Sequence, residues 1–265
     1  MRKLRSSLAL ISTFIASSVL VGCESSPTGR NQVLLFSGSE MSQLGAQSFE
    51  ELKKNTKISQ DPKVNRYVQC VAKSITDSIP KQSDFDAWEV VVFDSEQVNA
   101  FALPGGKIGV YTGLLNVAKT QDQLATVIGH EIAHVLAEHS NERVSQSQLT
   151  NMGLQITSVV LQTTEYSQYH DMTMGALGLG MQYGVLLPYG RTQESEADIV
   201  GLEIMSKAGY NPQASIYLWQ NMAKAAGGNQ PPELLSTHPS HDTRIRDLAE
   251  KIKTLPQSPT AKPRC

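Results

Sequence analysis

The HEIAH segment at residues 130–134 constrains this chain more than any other feature of its sequence. It lies in an apolar run, and Thr120 and Gln123, spaced as in a capping box, predict that a helix begins just before it. A spacing of four places both imidazoles on one helix face, where they can bind one ion, and neutral imidazole suits zinc. Glu131 lies about 100° around the helix, within reach of a water on the metal but not directed at the metal itself. His139 falls about half a turn from the first histidine on the same wheel, so we predict it at the surface.

A second segment, RTQESEADIVG at residues 191–201, supplies acidic groups at helical spacing. Glu194 and Asp198 are one turn apart, so Glu194 can be a third metal ligand and Asp198 can accept the outer N–H of a ligating histidine. Glu196 points about 200° away from Glu194. An alternative is an acidic helix start behind an N-cap at Thr192, which would complement the helix dipole. That alternative accounts for the acids but not for the metal motif upstream.

The rest of the chain predicts further helices around a small sheet. We expect a mobile cover of helices and loops over residues 144–189 and detect no internal repeat. Helix signals include an N-cap at Asp61 and a stop at Gly209, and β-branched runs mark the strands. The predicted helices cover residues 40–54, 62–79 and 192–208, with one more after a cap at Asn211-Pro212 and a last one after Asp242. The predicted strands are WEVVVFD, NAFALP and IGVYTG, with a turn at residues 104–107.

The N-terminus has the pattern of a secreted lipoprotein. Residues 1–22 combine a basic start with a short apolar run, which indicates a signal peptide. The run ends in Leu-Val-Gly before Cys23, which resembles a lipobox, and a multiply acylated cysteine anchors a protein to a membrane. Glu24 is not the aspartate that retains such lipoproteins at the inner membrane of enteric bacteria. We therefore expect a lipidated Cys23 and a tether over residues 23–38, at the periplasmic face of the outer membrane. An ordinary signal with a chance cysteine is the less favoured alternative.

Composition, charge and cysteine content limit the partners and the domain organisation that can be expected. The whole chain has a net charge of −2 and no basic patch, so nucleic acid is not an expected partner. Residues 39–255 are enough for one large domain, and residues 256–265 are expected to form a disordered tail. Cys70 and Cys265 would lie in a compartment that permits disulfides, and the sequence leaves both a pair and two free thiols open.

Taken together in this order, several motifs resemble the M48 metallopeptidases. These are PTGRNQ, NAFALPGGKIGVYTGLL, HEIAH, ESEAD and STHPSHDTR, which span most of residues 27–250. The resemblance implies an α+β fold, a mainly helical zincin (gluzincin-like) peptidase domain with a small β-sheet beside the active-site helix. No spanning helix follows the signal and no tetratricopeptide repeat is present, so the periplasmic lipoprotein members are the nearer match.

The resemblance also assigns roles to residues. It implies that His130, His134 and Glu194 bind one zinc ion per chain and that Asp198 supports a ligand. Glu131 would be the general base that activates a zinc-bound water. Two further residues are candidate oxyanion donors, His238 and Arg244, and in a closed form His238 would be a self-inhibiting fourth ligand.

The edge strand containing Asn99, Ala100 and Phe101 is expected to bind extended substrate through main-chain hydrogen bonds. Such recognition favours unfolded or misassembled envelope proteins as substrates, and hence a role in quality control. The alternative is a zinc-containing periplasmic chaperone or assembly factor for outer-membrane proteins with little proteolysis. For residues 172–188 we favour a place in the hydrophobic core. The alternatives are a lid over the substrate groove and a contact with the membrane surface.

Overall fold

The computed structural model describes residues 23–164, 166–225, 227, 240–256 and 261–265. Helices dominate and two small sheets accompany them, so the predicted mainly helical α+β class is confirmed. The strands are β1 (Cys23–Ser25), β2 (Asn31–Val33), β3 (Glu89–Phe93), β4 (Ala100–Leu103) and β5 (Lys107–Tyr111). The α-helices are α1 (Gly38–Asn55), α2 (Pro62–Thr76), α3 (Gln121–Leu136), α4 (His139–Gln162), α5 (His170–Met181), α6 (Leu187–Lys207), α7 (Ala214–Ala225) and α8 (His241–Thr254).

The segment after the predicted signal is a packed hairpin, so the prediction of a tether over residues 23–38 is wrong. β1 and β2 pair antiparallel, and the turn between them contains Gly29 at φ +85°. Gln32 is buried and its Nε2 donates to Ala137 O at 2.7 Å. The small and turn-forming residues that suggested a spacer instead allow a tight reversal. The predicted signal peptide itself lies outside the described residues.

Local capping accounts for the first two helices. α1 begins behind a capping box, in which the Ser37 side chain accepts from Glu40 N and the Glu40 carboxylate accepts from Ser37 N. The Asp61 carboxylate accepts from two backbone N–H groups at the start of α2, as predicted. α2 ends at Thr76, three residues before the predicted end.

The three predicted strands after α2 are confirmed, and they form one sheet in the order β3-β5-β4. β3 and β5 are parallel, whereas β4 and β5 form an antiparallel hairpin. Gly105 and Gly106 make the turn with φ of +80° and +72°, values that favour glycine. β4 is therefore an edge strand, and it packs against α3.

The core brings α3 and α6 together beside this sheet. Buried apolar side chains come from both helices, from α2 and from the inner face of the sheet, including Ile128, Ile132 and Met205. Thr120 caps α3 through a hydrogen bond from Gln123 N. The Gln123 side chain accepts from Lys119 N at 2.7 Å, not from the N-cap residue, so the predicted capping box is only half present.

The region predicted as a mobile cover is a pair of helices that continues into α6. A π-helical turn at Gln182–Leu186 joins α5 to α6, so α6 begins at Leu187 and the predicted start at Thr192 is wrong. Thr192 lies inside the helix, where its Oγ1 donates to Pro188 O at 3.1 Å. The following acids are therefore not at a helix N-terminus, which removes the dipole alternative.

The interpretation of residues 172–188 as core is wrong for α5. No residue of α5 is buried, and Met172 and Leu179 are among its exposed side chains. Among the described residues, none of the helices is both long and apolar enough to span a membrane.

The end of the chain is held in place, so the prediction of a disordered tail is wrong for residues 261–265. Cys70 and Cys265 form a disulfide with a Cα–Cα distance of 5.6 Å. Lys262 Nζ lies 2.7 Å from the Asp122 carboxylate, at the start of α3. Residues 257–260 of this tail lie outside the described residues.

Candidate metal centre

Three side chains from α3 and α6 bring their donor atoms to distances typical of the ligands of one metal ion. The Nε2 atoms of His130 and His134 lie 3.1 Å apart. The two carboxylate oxygens of Glu194 lie 3.4 Å from these nitrogens, one from each. Ligands at zinc–donor distances of about 2.0–2.2 Å in a tetrahedron are separated by about 3.3–3.6 Å. The three donor atoms therefore fit a tetrahedral metal ion, with one position left for a further ligand.

Glu131 lies in the same cleft but outside this ligand set. Burial raises the pKa of its carboxyl group to about 7, against opposing interactions with His130 and with the N–H of Ala102, which donates to it. The contact with Ala102 joins the carboxylate to the edge strand β4. A carboxylate with a pKa near neutrality can both accept and release a proton.

Asp198 supports His130 from the side opposite the ligand atom. Its Oδ1 lies 3.0 Å from His130 Nδ1, which leaves Nε2 to face the donor set. Burial alone would raise the pKa of Asp198, but Arg244 and the hydrogen bonds from His130 and Arg244 lower it below its usual value. The carboxylate is thus held ionised as a hydrogen-bond acceptor.

Arg244 holds Asp198 in turn. Its Nε donates to Asp198 Oδ2 at 2.7 Å, and its guanidinium stacks on the Trp219 ring at 3.6 Å from the centroid. Its NH1 lies 3.7 Å from Glu194 Oε2. These contacts make Arg244 a support for the acidic residues, and its role as an oxyanion donor stays a prediction.

His139 is a member of the site that the sequence reasoning missed. It was predicted at the surface, but it is 1% exposed, and its Nδ1 lies 2.8 Å from Nδ1 of His134. The helical wheel failed because α3 ends at Leu136 and α4 restarts at His139, with Glu138 between them at φ +49°. This break turns His139 inward.

Glu196 faces away from the donor set, as predicted, but it is buried and bonded to other side chains. Its Oε2 lies 3.1 Å from His139 Nε2 and 2.9 Å from NH2 of Arg30. Burial alone would raise the pKa of Glu196, but hydrogen bonds from Ser26, Thr28, His139 and Arg30 lower it to about 2. Thr28 and Arg30 belong to the PTGRNQ motif, which the sequence analysis used only for the family resemblance and whose spacing does not reveal these contacts.

A cleft of about 750 Å³ runs along the donor set, between β4 and α8. Asn99 O accepts from Tyr111 N, so in the antiparallel register residues 99 and 101 bond to β5 while Ala100 and Ala102 direct their N–H and C=O groups outward. Of the three predicted substrate-binding residues, Asn99, Ala100 and Phe101, only Ala100 therefore offers outward backbone groups. The predicted ligand or donor His238 lies outside the described residues.

Comparisons with known proteins agree with this geometry. The model of the family described as peptidase family M48 matches residues 60–252. The chain is 35% identical over 257 residues to the mitochondrial metalloendopeptidase OMA1 of Danio rerio, an alignment that covers 91% of this chain and 52% of that protein. It is 36% identical over 185 residues to the mitochondrial metalloendopeptidase OMA1 of Schizosaccharomyces pombe, covering 69% and 52%. It is 26% identical over 216 residues to the beta-barrel assembly-enhancing protease of Yersinia pestis, covering 80% and 43%. The chain thus spans about half the length of the curated relatives it matches.

Proposed function

The chain belongs to peptidase family M48, and from that membership we propose that it is a zinc-dependent endopeptidase acting on unfolded or misassembled proteins of the bacterial envelope. The observation that carries the proposal is the division of roles within one turn of α3. His130 and His134 face Glu194 as a ligand set, whereas Glu131 lies outside that set in the same cleft. A structural metal site does not require a carboxylate that is not a ligand, whereas a hydrolase needs such a carboxylate as a general base.

Different residues of the chain have different roles in the proposed peptide hydrolysis. When bound, a zinc ion supplies a Lewis acid that lowers the pKa of a water and polarises the scissile carbonyl. The Glu131 carboxylate takes a proton from the attacking water and delivers it to the leaving amine nitrogen. Its position in the cleft, outside the ligand set, places it beside the metal centre where both transfers take place.

Stabilisation of the developing oxyanion requires a donor besides the metal. Arg244 lines the cleft and carries a guanidinium near Glu194, which supports its candidacy. Its two hydrogen bonds to Asp198 favour a positioning role over a direct one. His238 is the other proposed donor, and a closed form in which it binds the metal is part of this proposal.

Substrate binding is proposed along β4. An extended peptide can pair with the outward N–H and C=O of Ala100 and the outward C=O of Ala102, while the Ala102 N–H bonds to Glu131. Main-chain pairing selects extended conformation more than sequence, so unfolded segments are the preferred substrates. One relative is described as a beta-barrel assembly-enhancing protease, which supports β-barrel outer-membrane proteins as a source of such segments.

The proposed localisation is the periplasmic face of the outer membrane, where a lipidated Cys23 would anchor the protein. Since β1 begins at Cys23 itself, a lipid there would hold the packed hairpin, and with it the domain, close to the membrane surface. The alternative of a zinc-containing chaperone with little proteolysis is not favoured, because it leaves Glu131 without a role.

Cleavage of an unfolded model protein by the mature chain tests the proposal, with Glu131→Gln assayed beside it. We expect the wild type to cut, a chelator to stop the reaction, and zinc to restore it. The variant should bind zinc as the wild type does but lose about 10²–10⁴-fold in rate. If both proteins bind zinc and protect the unfolded protein from aggregation without cutting it, the chaperone alternative replaces the peptidase.

A further inference from the structure

A continuous chain of hydrogen bonds links the N-terminal hairpin to one of the metal-ligand residues. Nδ1 of His134 lies 2.8 Å from Nδ1 of His139, and Nε2 of His139 lies 3.1 Å from Oε2 of Glu196. The same carboxylate oxygen accepts from Nε and NH2 of Arg30, at 3.1 and 2.9 Å. Four side chains from the hairpin, α3, α4 and α6 are thus connected in series.

The chemistry of imidazole assigns a direction to every proton in this series. A histidine that binds metal through Nε2 carries its proton on Nδ1. His134 then donates from Nδ1 to Nδ1 of His139, which must be unprotonated at that atom. His139 therefore carries its own proton on Nε2 and donates it to Glu196. A correctly placed acceptor oxygen on Glu196 selects this arrangement for both histidines.

Arg30 is the group that holds this acceptor in place. Glu196 is 4% exposed, and a buried carboxylate needs a charged partner or several donors. Thr28, in the same turn of the hairpin, adds a bond from its Oγ1 at 2.6 Å. We propose that Arg30 is a positioning residue of the metal centre: through Glu196 and His139 it fixes the proton of His134 on Nδ1 and leaves Nε2 available to the metal. This inference rests on the zinc site of the proposed function.

A purely structural role for Arg30 makes a different prediction, and the chain offers a matched control. Arg30 also pairs with Glu142, through NH1 and NH2 at 2.7 and 2.8 Å. The hydrogen bonds of the Glu142 carboxylate go to Arg30, Gln32, Tyr189 and Gln193, and none goes to His139. Both acids anchor the hairpin through the same guanidinium, but only Glu196 is on the path to the metal ligand.

The proposal gives the N-terminal hairpin a function besides linking the domain to the proposed lipid anchor at Cys23. The segment that directly follows the predicted lipidated cysteine is part of the support of the metal centre. A soluble form that begins after the hairpin is therefore expected to bind zinc weakly even where the peptidase domain is folded.

Zinc dissociation constants, measured by chelator competition on the chain from residue 23 onwards, test the proposal. Loss of an outer-shell partner typically weakens metal binding about 10–100-fold, and we expect this range for Arg30→Met, Glu196→Gln and His139→Phe. Arg30→Lys keeps one charged donor and should lie between wild type and Arg30→Met. Glu142→Gln should also lower the melting temperature, because it loses its ion pair with Arg30, but it should change zinc affinity less than about threefold. Equal zinc affinities for Arg30→Met and Glu142→Gln would overturn the proposal.

The tautomer itself is a second readout that does not require metal. With ¹⁵N-labelled histidine, the zinc-free wild type should show His134 protonated at Nδ1, assigned by its loss in His134→Ala. Arg30→Met should show a mixture of the two tautomers, and an unchanged spectrum would again overturn the proposal. Failure of the proposed function looks different: the wild type would then bind zinc no better than His130→Ala, whatever the tautomer of His134.

Discussion

Gly129 and Gly201 bring the backbones of α3 and α6 into direct contact. A Cβ atom on Gly201 would lie 2.7 Å from His130 N, and one on Gly129 would lie 2.8 Å from Gly201 O. Such distances leave no room for a side chain at either position. Gly129 directly precedes His130, so this crossing sets the separation between the histidines of α3 and the carboxylate of Glu194 on α6.

Replacement of Gly201 by alanine is therefore expected to damage the metal centre as well as the fold. Overpacking of a well-packed contact costs about 1–3 kcal/mol, and here the helices must separate where the ligands meet. We expect Gly201→Ala to lower the free energy of unfolding by that amount and to weaken zinc binding. Gly178→Ala is the matched control, since a Cβ there meets nothing within 4 Å in helix α5 and alanine favours helix. A Gly201→Ala protein with wild-type stability and zinc affinity would contradict the account.

Acid is expected to release the hairpin before the rest of the domain. Glu196 has a pKa of about 2, and hydrogen bonds from Arg30, Tyr189, Gln193 and Gln32 lower that of Glu142 despite its burial. A carboxyl group whose pKa is lower in the folded state contributes stability above its unfolded value of about 4.3, and that stability is lost as the pH falls towards the folded value.

The measurement is urea unfolding of the wild type and of Arg30→Met at several pH values between 7 and 3. The wild type should be more stable at pH 7, by about 2 kcal/mol, and the difference should shrink steadily below pH 5. A difference that stays constant down to pH 3 would show that the two carboxylates do not carry the effect.

The parts of this fold that follow local rules could be predicted from the sequence. The strands around residues 89–111 are β-branched runs bounded by a glycine turn, and Asp61 caps a helix as its side-chain chemistry predicts. Helical spacing placed His130 and His134 on one face and made Glu194 a candidate ligand, and the family resemblance joined the three residues into one set.

Where the prediction failed, the cause was a contact between distant residues or a break in a regular element. His139 was misplaced because the helical wheel was continued across the αL residue Glu138. The hairpin was taken for a tether because the ion pairs of Arg30 join residues more than 100 positions apart, which composition cannot reveal. The start of α6 was placed too late because a polar N-cap signal at Thr192 outweighed the continuing helix.

Reduction of the disulfide is expected to destabilise the chain without loss of metal. Cys70 and Cys265 are 195 positions apart, so the bond restricts the unfolded chain strongly, and removal of such bonds typically costs about 2–4 kcal/mol. Urea unfolding with and without a thiol reductant measures the loss, and zinc affinity should stay within about twofold. The Cys70→Ser, Cys265→Ser double variant should match the reduced wild type and ignore the reductant. If the reductant lowers the stability of the double variant as well, the effect does not come from this bond.

The outward edge of β4 gives the most direct test of how substrate is held. The register of β4 against β5 leaves the Ala100 N–H unpaired within the sheet, so proline at this position removes a donor to substrate while the sheet bonds remain. A lost hydrogen bond is worth about 0.5–1.5 kcal/mol, so Ala100→Pro should raise KM for an unfolded substrate up to about tenfold, with zinc affinity unchanged. Ala100→Val retains the N–H and should keep the wild-type KM, whereas Phe101→Pro removes a bond to β5 and should destabilise the sheet. Wild-type KM in Ala100→Pro, together with normal zinc binding, would mean that substrate does not pair with this strand.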